Sequence, residues 1–144
     1  MKELLGGWQV WAALSAGFAA LTAIFAKVGI ENINSDLATF FRTIVILVVV
    51  AAILFMTKEW QSPSSISART YVFLTLSGLA TGASWLCYFR ALKIGEASRV
   101  APIDKLSVVL VAAFAFIFLG EKLSALHWLG VALIATGAIL LAIK

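Results

Sequence analysis

Five apolar runs, each about as long as a lipid bilayer is thick, dominate this sequence: residues 8–28, 37–57, 71–92, 100–119 and 125–143. A helix rises about 1.5 Å per residue, so about 20 residues cross the roughly 30 Å hydrocarbon core. Lipid offers the backbone no hydrogen-bond partner, so a spanning segment must pair its own N–H and C=O groups. That constraint selects helix even for the second run, where Ile44, Val45, Val48, Val49, Val50 and Ile53 would favour a strand in water. Little polar sequence remains for a water-soluble surface. Of the 144 residues 62% are hydrophobic and 12% charged, against about a quarter charged in a soluble domain. The expected fold class is therefore an all-α membrane protein, a single domain over residues 1–144 with five transmembrane helices.

The first run is too long for a secretory signal, and Met1-Lys2-Glu3 is a poor basic start for one, so it reads as a retained span. The longest polar stretch, residues 58–70, holds Pro63 and several serines and reads as a surface loop. Five crossings place the chain ends on opposite sides. One side, the N-side, carries the amino terminus, loop 58–70 and the turn at Gly120. The other, the C-side, carries loops 27–36 and 93–99 and Lys144. Trp8, Trp11, Trp60 and Trp128, with Tyr71, fall at span ends on the N-side and form an interfacial aromatic belt. Orientation should follow the Lys/Arg bias of the short loops. The N-side has Lys2, Lys58, Arg69 and Lys122; the C-side has Lys27, Arg90, Lys93, Arg99 and Lys144. So small a bias leaves two readings: a weakly cytoplasmic C-side, or insertion both ways round.

Ionisable groups inside the spans are costly, which makes each a candidate for function. Asp104 and Lys105 lie just inside the fourth span, and Arg42 enters the second span from the same side. Side chains of neighbouring helical residues diverge by about 100°. Asp104 and Lys105 are thus not expected to neutralise each other face to face. Arg42 is a plausible partner for Asp104, which leaves Lys105 to snorkel, to meet water or to meet Asp104 of a second subunit. Pro102 is expected in the first helical turn, where its missing N–H costs nothing. Trp85 and Tyr88, away from the N-side belt, could line a pocket and stack on a ligand cation, with lipid-facing or core packing as the plainer role. Gly78 and Gly82 form a small-residue face for close helix approach, and Gly130 and Gly137 share a face of the last span. Cys87 reads as a small core residue, and His127, beside Trp128, as interfacial.

Other chemistry is poorly represented. One histidine and one cysteine exclude a local His/Cys metal cluster. There is no Gly-rich phosphate loop, no nucleophile–base arrangement and no carboxylate pair set for hydrolysis, so neither an enzyme nor a cofactor is expected. The basic residues are scattered between apolar spans, which argues against a nucleic-acid partner.

Several short motifs then add up. Ala91-Leu92, Gly95-Glu96-Ala97-Ser98, Val100-Ala101-Pro102, Phe118-Leu119-Gly120-Glu121, Trp128-Leu129-Gly130-Val131 and Gly137-Ala138 resemble the EamA domain of the drug/metabolite transporter superfamily. The stretch from Ala101 through Asp104 and Lys105 to Ser107 resembles that of short, single-domain members. The resemblance spans essentially the whole chain. It implies a secondary transporter of a small organic metabolite or drug-like solute, an exporter in a bacterial or archaeal cytoplasmic membrane, with a cavity lined mainly by the first, third and fourth spans. Typical members carry two five-helix domains as an inverted repeat, the arrangement on which alternating access commonly rests. This chain reads as one half of that fold, and a homodimer, antiparallel and of dual topology, would complete it. Asp104 and Lys105, with Arg42, Trp85, Tyr88 and Pro102, picked out above by charge, aromatic character and helix position, are the candidate substrate-binding or gating residues for a charged or zwitterionic solute. If transport is proton-coupled, Asp104 is the titratable candidate. The similarity to the four-helix small multidrug resistance proteins is looser, because the first span lacks their acidic residue. The rival reading is a non-transporting subunit that completes a heteromeric transporter or lipid translocator.

Overall fold

The computed structural model describes residues 7–143, all of it helix, turn and loop; Lys2 and Lys144, used in the charge count above, lie outside that range. The helices are α1 (Trp8–Gly29), α2 (Ser35–Thr57), α3 (Ala68–Ile94), α4 (Ala97–Asp104), α5 (Ser107–Phe114), which continues as a π-helical turn (Ala115–Leu119), and α6 (Ala125–Ala142). With α4 and α5 taken as one interrupted span, five helices are long and apolar enough to cross a membrane. The chain divides into two compact units, one made of residues up to Phe25 and from Ile94 onward, the other of Ala26–Lys93.

In the first unit, α4 and α5 both pack along α6. The contacts are made by small and aromatic side chains. Ala115 and Ala138 are buried, and Phe116 meets Trp128 edge-on with ring centroids 6.1 Å apart. Arg99 near the start of α4 donates to the Ala142 carbonyl at the end of α6, at 2.8 Å. The π turn closes on Gly120, whose φ of +69° is reached without strain by glycine. That residue lets the N–H of Glu121 return to the Ala115 carbonyl at 3.1 Å. Ser124 then caps α6: its hydroxyl accepts from the His127 N–H, and the His127 ring returns to the Ser124 backbone. His127, exposed in the first turn of α6, thus has a defined helix-capping role. An apolar groove of about 650 Å³ follows one face of α1, lined by Val10, Ala13, Leu14, Gly17, Phe18 and Leu21.

The second unit closes around Ile30, Leu92 and Phe89, which are almost fully buried, with Ala38 and Thr39 beside them. Asn34 caps α2, its Oδ1 accepting from the N–H groups of Asp36 (2.8 Å) and Leu37 (3.2 Å). Hydroxyls inside the apolar helices are satisfied locally: Thr39 bonds to the Ser35 carbonyl and Thr43 to the Thr39 carbonyl. In the loop before α3, the Tyr71 hydroxyl donates to the Pro63 carbonyl at 3.0 Å.

Helix C-termini leave carbonyls without intrahelical partners, and they carry partial negative charge. Lysines supply the missing donors here. Lys27, in the last turn of α1, reaches the Leu92 carbonyl at 2.8 Å. Lys93, in the last turn of α3, reaches back to the carbonyls of Ile30, Glu31 (2.6 Å) and Ile33 (3.1 Å). Lys27 thus caps the end of α3, and Lys93 ties down the turn that follows α1. Basic residues that served in the sequence only to set orientation also close the backbone of the second unit, and Arg99 does the same for α6 in the first.

Candidate functional site

The first cluster lies where the fourth span is interrupted. α4 begins at Ala97 behind an extended Glu96, earlier than the expected start at residue 100. Pro102 is consequently not in the first turn but well inside α4. Its ring removes the N–H that would have bonded to Ser98 and crowds that turn. The ladder then tightens. Leu106 bonds to the Ile103 carbonyl, Val108 to Lys105 and Val109 to Leu106, all at 3.0 Å, a 3₁₀-type pattern that breaks the α-helix at Lys105-Leu106.

Asp104 and Lys105 sit on this break and form an ion pair, Nζ to Oδ2, at 3.4 Å. This corrects the expectation that the two neighbours do not meet. The backbone at Lys105 stays helical in conformation, so the two side chains still leave the helix in different directions; the long, flexible lysine stem folds back to close the gap. It also corrects the expectation that Lys105 lacks an acid in its own chain. The pair is long, and its side chains are 36% (Asp104) and 55% (Lys105) exposed. Such a pair holds loosely and can exchange either partner.

The second cluster is built by α2 and α3. The Arg42 guanidinium lies over the Trp85 ring, 4.2 Å from its centroid, and 5.4 Å from that of Phe89. Tyr88 is within electrostatic reach of Arg42 and meets Phe89 edge-on at 6.4 Å. Phe89 is buried, and Arg42, Trp85 and Tyr88 are half-buried. Trp85, offered by the sequence to a ligand cation, thus holds the protein's own cation. Asp104 and Arg42, paired on the sequence, each have a partner within their own unit. Nearer the helix ends, Arg90 makes a bidentate pair with Asp36, at 2.9 and 2.7 Å. The sequence reading assigned that pair nothing.

Two further placements differ in kind. Cys87 is exposed, not a core residue: Phe89 and Leu92 take the buried face of α3 instead. Gly78, Gly82, Gly130 and Gly137 have open space where a Cβ would stand, so none of the described residues of the same unit presses against them. Among the described residues, no group of three or more His, Cys, Asp or Glu side chains could hold a metal ion.

A profile of the EamA-like transporter family matches residues 6–143. The chain belongs to that family. It is also 68% identical over 136 residues to a protein of Sinorhizobium sp. described as an uncharacterized transporter in the cobO 3' region, an alignment covering 94% of this chain and 96% of that protein. No solved structure matches the chain. This EamA protein is a multi-pass integral membrane transporter, and its two charged clusters are considered below in that role.

Proposed function

We propose that this EamA protein is a secondary transporter, and an exporter, of a small organic solute. Two copies in antiparallel arrangement would work by alternating access, as the halves of an inverted repeat do. The observation that carries the reading is the broken fourth span with Asp104 and Lys105 on the break. A discontinuous helix offers backbone groups and a point of bending inside a span, which a continuous helix does not. A loose ion pair there can open for a charged or zwitterionic solute, whose carboxylate would replace Asp104 on Lys105 and whose ammonium would replace Lys105 on Asp104. When the solute leaves, the pair re-forms and spares either charge an unpartnered stay in low dielectric. The break would let the two ends of the span tilt against each other as access alternates. The small bias of loop charges supports opposite insertion of two copies, and the open faces at Gly78 and Gly82 are where close helix approach costs least.

Flux measured in proteoliposomes holding only the purified chain tests this. Asp104→Asn and Lys105→Ala should each lower flux at least tenfold while the far-ultraviolet circular dichroism stays unchanged. Full flux in both correctly folded variants would leave the pair a structural element. A chain that dimerises and transports only with a second, different protein would favour a heteromeric subunit.

A further inference from the structure

The Arg42 cluster has a feature that the proposed gate at Asp104 and Lys105 does not use. Arg42 lies about 10 Å along α2 from its start, and Trp85 about 13 Å from the end of α3, by the rise of a helix. A cation at such depth normally pairs with an acid. Among the described residues, the ion pairs are Arg90–Asp36 and Lys105–Asp104, and Arg42 is in neither. Its neighbours are aromatic instead: Trp85, Phe89 and Tyr88. A guanidinium that lies over a ring keeps N–H donors that can form a two-pronged bond to a carboxylate. The contacts with Trp85 and Phe89 restrict the Arg42 side chain, so less side-chain entropy remains to be lost on binding. The half-buried rings of Trp85 and Tyr88 beside the guanidinium fork suit a ligand with a carboxylate at one end and an apolar, planar portion at the other.

We infer that Arg42, held by Trp85 and Phe89, is an anion-recognition point, and that the solute class of this transporter is small organic carboxylates with an apolar body. The inference rests on the transport reading for its biological role, but the site can be tested without it. An organic carboxylate and a lipid phosphate share the chemistry that Arg42 would recognise; the proposal commits to the dissolved carboxylate.

The test is equilibrium binding of radiolabelled benzoate, with benzylammonium as the cationic counterpart, to the purified chain in phosphatidylcholine nanodiscs. The unmodified chain should bind benzoate at least tenfold more tightly than benzylammonium, a comparison that needs no variant to fold. Arg42→Gln should weaken benzoate at least tenfold, and Arg42→Lys, which keeps the charge and loses the fork, by less. Equal affinity for the two probes, or unchanged benzoate binding in Arg42→Gln, overturns the inference. So does loss of benzoate binding when phosphatidylglycerol is added, which would give the site to a lipid headgroup. Parallel flux assays separate the two readings. Benzoate bound through Arg42 without flux leaves the site standing and removes the transport reading. Flux without discrimination between the probes removes the site and leaves transport.

Discussion

Replacing Lys93 by methionine keeps the length and apolar stem of the side chain and deletes its ammonium. In the folded protein that ammonium bonds to the carbonyls of Ile30, Glu31 and Ile33. These groups sit where α1 ends, next to Ile30, which is 1% exposed. A cation at a helix C-terminus is worth about 0.3–1 kcal/mol at an exposed site and up to about 2 kcal/mol in a partly buried one. A hydrogen bond to a charged group contributes roughly 1.5–3 kcal/mol. Three acceptors sharing one ammonium do not add, and Lys93 itself is exposed, so water recovers part of the loss. The expected cost is about 2 kcal/mol, close to a thirty-fold drop in the folded-to-unfolded ratio. Reversible unfolding by SDS in mixed micelles, followed by circular dichroism, measures it. Lys93→Arg should recover most of the stability because it keeps the charge and the donors. A Lys93→Met variant within about 0.5 kcal/mol of the parent, the range of an ordinary surface change, would refute the idea that lysines cap these helix ends.

Gly120→Ala should cost about 1–2 kcal/mol in the same assay, because any side chain is strained at its φ of +69°; no loss would mean that the turn relaxes freely. Lys58→Gly should stabilise the protein by a few tenths of a kcal/mol, since Lys58 closes α2 at a φ of 56° that glycine adopts more easily. Asn34→Ala should cost about 1 kcal/mol by leaving the first N–H groups of α2 without their acceptor. Asp36→Asn should leave the unfolding midpoint close to the parent's, because the side chains of the Asp36–Arg90 pair are 43% and 62% exposed; a marked loss would show that the pair is shielded in the membrane.

The spans were legible because hydrocarbon thickness imposes a length that few other folds mimic, and Gly120 marked its turn by residue type. The break in the fourth span was not. Ile103, Leu106 and Val108 are ordinary residues of an apolar helix, and Pro102 is harmless if the helix begins at residue 100. The earlier start at Ala97 moves the proline into the interior and makes it disruptive. The Asp104–Lys105 pair is hidden from an angle argument because the reach of a lysine stem, and not the direction in which it leaves the helix, decides whether the two charges meet. The lysine caps were hidden more deeply. Their acceptors are backbone carbonyls far away in sequence, and a carbonyl leaves no mark on residue identity. Arg42 and Trp85 are each visible as candidates in the sequence, but their contact with each other is not, because it joins residues 43 positions apart on two helices. Cys87 was misplaced because small residues are commonly buried in soluble cores, a tendency that loses force where lipid is the solvent.

The antiparallel pair is tested most directly by the side on which the C-terminus lies. Reporters that are active on one side of the membrane only, fused after Lys144 and expressed from the same sequence, should give signal on both sides in comparable amounts. The cross-linked dimer should contain one subunit of each orientation. A C-terminus found on one side only would contradict antiparallel assembly.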